Sequence, residues 1–102
     1  MRLVSQKILN EFAYRHPEAR AAIKRWASVV EAAFFADFHD VLSYFRYADY
    51  VAPYTVFNLA GNKYRVIAIV DYAAATIFVR WTYTHAEYDK WSKRYRQGRS
   101  KP

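Results

Sequence analysis

The 102-residue chain has no cysteine, which excludes disulfide scaffolds, thiol catalysis and cysteine-based zinc sites and suits a cytoplasmic protein. Glycine occurs only at Gly61 and Gly98, so there is no glycine-rich phosphate loop, and collagen-like and flexible-linker classes drop out. The longest apolar runs, such as Val66–Val70, are far too short to cross a bilayer, and cationic and apolar residues do not share one long amphipathic helix that could lie on a membrane surface, so no membrane partner is expected. Arg2 and Lys7 lead into no apolar stretch with a cleavage site, so the N-terminus reads as lacking a secretory leader. No serine sits in a Gly-x-Ser-x-Gly elbow. His16, His39 and His85 lack zinc-site spacing, and Asp37 with Asp40 makes an unconvincing carboxylate pair. No metal and no cofactor are expected.

Aromatic rings and positive charge are plentiful instead. Ten Tyr, seven Phe and three Trp give a short chain enough area to bury a core, and the length allows one domain, residues 1–102. The net charge of +7 points to an anionic partner. Residues 31–52 carry four acidic groups and one basic, so this acidic middle is expected to face away from RNA or DNA. The densest basic run is Lys90, Lys93, Arg94, Arg96, Arg99 and Lys101, with a tail from about residue 96. It is either a solvated helix end favoured by the helix dipole or a set of phosphate contacts.

The pattern reads as helices, then strands, then a helix. Ser5 is placed to cap a helix over 6–15 with Ile8, Leu9 and Phe12 on one face. His16-Pro17 ends it, and Pro17 starts a second helix. Ala19, Ala22, Ile23, Trp26, Val29, Val30, Ala33 and Phe34 form the apolar stripe of that helix. Residues 37–45 suggest a short helix, and 47–53 read as irregular. Runs over 54–59 and 63–72, parted by Gly61-Asn62, predict a hairpin with glycine at positive φ. A third strand covers 76–83, and the short connections predict an antiparallel sheet. Thr84-His85-Ala86-Glu87 matches a capping box for a last helix over 85–95. The fold class is α+β, with the helical pair covering one sheet face.

Alternation puts Lys63, Arg65, Ile67 and Ile69 on one strand face, where two cations can clamp a phosphate or simply be solvated. Arg80 lies inside an apolar run, where a lone charge is costly. It requires either an ion pair with Asp71, Asp89 or Glu87, or a substrate contact. His85 and Tyr88, three apart, share a helix face. A histidine moves protons near neutral pH, and a tyrosine hydroxyl can donate to a developing oxyanion; the alternative is a helix end packed on the sheet.

The stretch Val56-Phe57-Asn58-Leu59-Ala60-Gly61-Asn62-Lys63-Tyr64-Arg65-Val66-Ile67 resembles the signature of HigB-type toxins, bacterial mRNA interferases of the RelE-like superfamily. So do Ile77-Phe78-Val79-Arg80 and Thr84-His85-Ala86-Glu87-Tyr88-Asp89. The resemblance implies a RelE-like fold and an endoribonuclease acting on mRNA at the ribosome, held inactive by a helix-turn-helix antitoxin of the HigA type. It implies metal-free attack of a ribose 2′-hydroxyl on the neighbouring phosphate. Arg65 matches the arginine that stabilises charge on phosphorus, His85 the proton-transfer position, and Tyr88 the tyrosine that orients the 2′-hydroxyl or stacks on a base. The strand 54–58 lacks the lysines of RelE itself, which leaves Lys63 or His85 as the general base. Arg80 takes a supporting or structural role. Asn58 either positions a phosphate or, the preferred reading, fixes the turn. Lys93, Arg94 and Arg96 are the remaining candidate RNA contacts. Two alternatives stand beside this reading: a ribosome-independent RNase of the same fold, and a non-catalytic RNA-binding module.

Overall fold

The computed structural model describes residues 1–100, with the side chains of residues 1–96. Arg99 at side-chain level and Lys101 altogether, both part of the basic run, lie outside the described residues. The element order is β1 (Arg2–Val4), α1 (Gln6–Arg15), a 3₁₀ turn (Pro17–Ala19), α2 (Arg20–Ala32), α3 (Phe38–Tyr44), β2 (Asp49–Val51), β3 (Tyr54–Leu59), β4 (Tyr64–Asp71), β5 (Thr76–Thr84) and α4 (His85–Ser100). The strands form one sheet in the order β1-β5-β4-β3-β2. The fold is α+β.

Most elements arise where the pattern places them. The stripe of α1 buries Leu9 and Phe12, and His16-Pro17 separates α1 from α2. Ser5 occupies the N-cap position but does not cap. It adopts a left-handed conformation (φ 72°, ψ 43°) and its hydroxyl makes no capping bond, because the chain must turn there directly out of β1. In α2, Ile23, Trp26 and Val30 point inward. Phe34 departs from the expected stripe and is 69% exposed. The helix ends at Ala32 and the chain becomes extended at Ala33, so Phe35 turns into the core instead. Asp37 caps α3 by accepting from the Asp40 N–H at 3.0 Å.

Two short strands were not expected. Residues 49–51 form β2, antiparallel to β3, where an irregular segment was read. Residues 2–4 form β1, which runs parallel to β5. The sheet is therefore mixed, with its parallel strand at one edge. Beyond β3, Ala60 and Gly61 both adopt positive φ (52° and 69°), and Leu59 and Tyr64 make the last pair, so the hairpin loop spans Ala60–Lys63. Backbone without a side chain at Gly61 carries this conformation at no steric cost.

The sheet has two covered faces. Phe57, Leu59, Tyr64, Val66, Ala68, Ile77 and Val79 join α1, α2 and Phe35 in the main core. On the opposite face Val51, Val56 and Ile67 pack against Trp91 of α4, ringed by Tyr54, Trp81, Tyr83, Tyr88 and Tyr95. A β-bulge makes this division possible. Ile67 pairs with Trp81 but Ala68 pairs with Val79, which leaves Arg80 as the extra residue. Strict alternation would put Val79 and Trp81 on the same face. The bulge sends Val79 to the helical core and Trp81 to the α4 side. It also explains Arg80, which sits exposed with its guanidinium carbon 6.0 Å from the Trp81 ring. Among the described residues Arg80 makes none of the expected ion pairs with Asp71, Glu87 or Asp89.

Candidate active site

The α4 side of the sheet carries a cross-strand row of Asn58 on β3, Arg65 on β4 and Tyr83 on β5. The start of α4 stands over this row. Its first turn is fixed by the expected capping box: the Thr84 N–H donates to Glu87 Oε1 at 2.8 Å and the Glu87 N–H to Thr84 Oγ1 at 3.3 Å. The His85 N–H donates to the Lys63 carbonyl at 2.9 Å, which ties the helix start to the hairpin. Further along, Tyr95 donates its hydroxyl to the Ala52 carbonyl, and Trp91 stacks on Tyr95 with ring centroids 5.1 Å apart. The helix is thus held at its start and again at Tyr95.

Arg65 is the centre of the site and only 7% exposed. Its Nη1 donates to the carbonyls of Asn62 (2.9 Å) and Tyr64 (3.3 Å), which aligns the guanidinium. Its carbon lies 5.2 Å from the centre of the Tyr88 ring, a cation–π arrangement that adds about 0.5–2 kcal/mol where water is partly excluded. Its Nη2 faces His85 Nδ1 at 3.4 Å. An arginine only donates, so Nδ1 is the acceptor and the imidazole proton sits on Nε2. That Nε2 lies 3.2 Å from Asp89 Oδ2. The result is a chain Arg65–His85–Asp89, in which a carboxylate orients a histidine whose free base faces a cation. The Nε–H of Arg65 has no protein partner among the described residues, so a ligand oxygen can approach it. Burial raises the Tyr83 hydroxyl above the ordinary tyrosine value; Arg94 opposes that shift and Glu87 adds to it.

Beside Arg65 lies an open cavity of about 450 Å³, lined by Tyr47, Ala48, Asp49, Val56, Asn58, Arg65 and Tyr88. A larger depression of about 710 Å³ exists on the outer side of α1, but its lining of Lys7, Asn10, Glu11, Tyr14 and Arg15 contains no convergent proton-transfer pair. Asp37, His39 and Asp40 bring ligand atoms within 4.8 Å of one another. Both carboxylates there already accept backbone N–H groups at the α3 cap.

The structure brings Arg65, His85 and Tyr88 together. Lys63 lies in the hairpin loop and is exposed; its carbonyl is engaged with His85, and no contact joins its ammonium to Arg65 among the described residues. Asn58 donates to Asn62 Oδ1 at 3.4 Å across the turn and also lines the cavity, so both roles weighed for it have a geometric basis. Lys93 and Arg94 are exposed on α4 outside the cavity lining. Arg96 bonds Ser92 Oγ and lies 3.6 Å from Asp49, an ion pair at the cavity rim. Asp49, one of the acidic groups expected to face away from RNA or DNA, lines the cavity, because β2 adds to the sheet edge next to β3. Asp89 was weighed only as a partner for Arg80, although its spacing of four from His85 is the signal for the contact it makes. Tyr47 and Arg46 gave no sequence signal, since they precede a three-residue strand.

A family model described as "HigB_toxin, RelE-like toxic component of a toxin-antitoxin system" matches residues 19–91, a span that contains Asn58, Arg65, His85, Tyr88 and Asp89. The chain is 28% identical over 92 residues to the mRNA interferase toxin HigB of Escherichia coli K12, covering 87% of this chain and 88% of the relative. It is equally similar, over the same coverage, to mRNA interferase HigB of Shigella flexneri. Over 102 residues it is 28% identical to mRNA interferase HigB of Escherichia coli O6:H1, with 97% of this chain and 99% of the relative covered.

Proposed function

The chain belongs to the HigB family of RelE-like toxins, the toxic components of toxin–antitoxin systems, and on that premise we propose that it is an endoribonuclease cleaving mRNA on the ribosome. The observation that carries this reading is the Arg65–His85–Asp89 chain with Tyr88 against the guanidinium. His85, oriented by Asp89, exchanges the Arg65 Nη2 contact at Nδ1 for the ribose 2′-hydroxyl when RNA binds and removes its proton there. The oxygen attacks the adjacent phosphate, and Arg65 stabilises the added charge from a site largely shielded from water. Tyr88 holds the ribose in line, and the imidazolium returns its proton to the departing 5′-oxygen. Lys63, exposed on the loop, attracts the strand, as do Arg80, Lys93, Arg94 and Arg96.

The 102-residue chain acts as a single domain in the cytoplasm, where mRNA and ribosomes are, and its inhibitor is a HigA-type antitoxin. Among the described residues no helix is long and apolar enough to cross a membrane.

The test is cleavage of a defined mRNA, with and without programmed ribosomes, the ribosome-free arm in EDTA. Arg65→Ala and His85→Ala are expected to lose about 10²–10³-fold in rate while keeping the wild-type circular dichroism spectrum. Full activity in both folded variants would remove this site. Cutting of bare RNA in EDTA would leave the chemistry and remove the ribosome requirement. Binding without products in either arm would leave an RNA-binding module.

A further inference from the structure

The cavity at Arg65 continues past Asn58 into two smaller depressions of about 170 and 300 Å³, both also lined by Tyr47, Asn58 and Gly61. Tyr47 is 72% exposed, an unusual position for a large ring with no core role. The Arg46 guanidinium carbon lies 5.9 Å from its ring centre. Opposite the ring lies bare backbone: a Cβ added at Gly61 would meet nothing within 4 Å, so the groove is open there. The amides of Asn58 and Asn62 stand at the same place. They share one long bond of 3.4 Å, from Asn58 Nδ2 to Asn62 Oδ1, which leaves the Asn58 carbonyl oxygen and the Asn62 NH₂ without a protein partner among the described residues.

We infer that Tyr47, Asn58 and Asn62 form a nucleobase subsite, in which one unpaired base stacks on Tyr47 and presents its edge to the two amides. The phosphate of that nucleotide meets Arg46. An exposed ring, an open floor, a free acceptor and a free donor are what recognition of a splayed base requires. Asn58 is the direct cross-strand partner of Arg65. The subsite therefore holds a nucleotide next to the phosphate that Arg65 addresses and selects where along an RNA the chemistry falls. This inference rests on the reading of an RNA substrate, and it adds a specificity element outside the catalytic chain.

The test separates it from catalysis. An uncleavable 2′-O-methyl oligoribonucleotide carries 2-aminopurine, an adenine analogue whose fluorescence falls on stacking, at one position after another. The full chain is expected to quench one position, Tyr47→Ala to abolish that quench, and Tyr47→Trp to retain it. In cleavage, Tyr47→Ala is expected to raise KM about tenfold with kcat nearly unchanged, and Asn62→Ala to change the base preferred at that position. Quenching that persists in Tyr47→Ala, or is absent at every position of the wild type, overturns the subsite. Tyr47-dependent quenching from a protein that yields no products would uphold the subsite and remove the nuclease reading instead.

Discussion

The same strands build both faces of the sheet, and the faces differ in what covers them. On one side α1, α2 and the Phe35 segment close over a continuous apolar core, in which Phe12, Phe57, Val30 and Val66 have no exposed surface. On the other, a single helix covers the sheet through rings: Trp91 and Tyr95 stack on each other and meet Tyr54 edge-on, while Trp81 tilts against Trp91. One helix cannot cover five strands. The uncovered strip beside it is where Arg65, His85, Tyr88 and Asn58 gather. Neighbours along β4 show how sharp the division is, since Val66 belongs to the core and Arg65 to the site. The proposed site thus lies on the face opposite the main core, and substitutions that respect the division are expected to separate chemistry from stability.

The largest effect is expected on the closed face. Phe57 is fully buried and meets Trp26 and Phe45 edge-on. Phe57→Ala removes that ring and leaves a cavity, at a cost of about 3–5 kcal/mol, to be read as a lower urea midpoint with unchanged slope. Cleavage per folded molecule at low temperature is expected to survive. A loss below about 1 kcal/mol would mean that the helical face does not carry the stability.

Trp91→Ala asks the reverse question. Trp91 anchors α4, and α4 brings His85, Tyr88 and Asp89 to Arg65. The urea midpoint is expected to fall less than in Phe57→Ala, while amide exchange in α4 speeds up selectively. Cleavage is expected to drop because His85 and Tyr88, the proposed catalytic residues on α4, no longer stay in register with β4. Wild-type cleavage with fast exchange in α4 would detach the chemistry from this helix.

Much of the division could be read from residue order. The periodic stripe of α1, the central part of the α2 stripe, the hairpin around Gly61 and the Thr84–Glu87 box all carry strong local signals and fold where they were expected, whereas the second helix starts after a 3₁₀ turn at Pro17–Ala19 and ends before Phe34. Arg65, His85 and Tyr88 could be associated because a strand and the helix after the next strand are close in chain order. What could not be read depends on pairing over distance. β1 and β2 have three residues each, too few for alternation to register, and β1 pairs in parallel with a strand more than seventy positions away. Arg80 was visible as a misplaced charge. Nothing local says that a bulge would expose it and put Val79 and Trp81 on opposite faces. Tyr47 was missed for the same reason as β2: its proposed role comes from the hairpin it stands beside, not from its neighbours in sequence.

Smaller effects sharpen the boundary between the faces. Thr84→Ala opens the capping box at the start of α4 and is expected to cost about 1 kcal/mol, read as a lower thermal midpoint. Because His85 follows directly, cleavage should fall further than stability does. Two tyrosines, one from each face, compare the faces at alkaline pH. Burial raises Tyr64 in the core, aided by the Glu18 carboxylate, and burial likewise raises Tyr83 beside Arg65. Both favour the neutral phenol in the folded state. Their contribution is complete below the ordinary tyrosine value near 10 and is lost as pH rises through the folded values. The phenolate absorbance that is lost in Tyr64→Phe and in Tyr83→Phe should therefore be the part that develops above the free tyrosine midpoint.

The smallest effect on stability belongs to Arg96, whose pair with Asp49 ties α4 to β2 at the cavity rim. Both side chains are more than half exposed, so Arg96→Ala is expected to cost only about 0.2–1 kcal/mol, and raised salt should erase the difference. RNA affinity should respond more. Asp49 holds Arg96 beside the groove that leads to Arg65, where a backbone phosphate can replace the carboxylate as its partner. Loss of one such contact reduces the slope of log affinity against log salt by about one. An unchanged slope would make Arg96 a strut between helix and sheet edge. A reduced slope with near-normal stability would extend the open face's binding surface from Arg65 along α4.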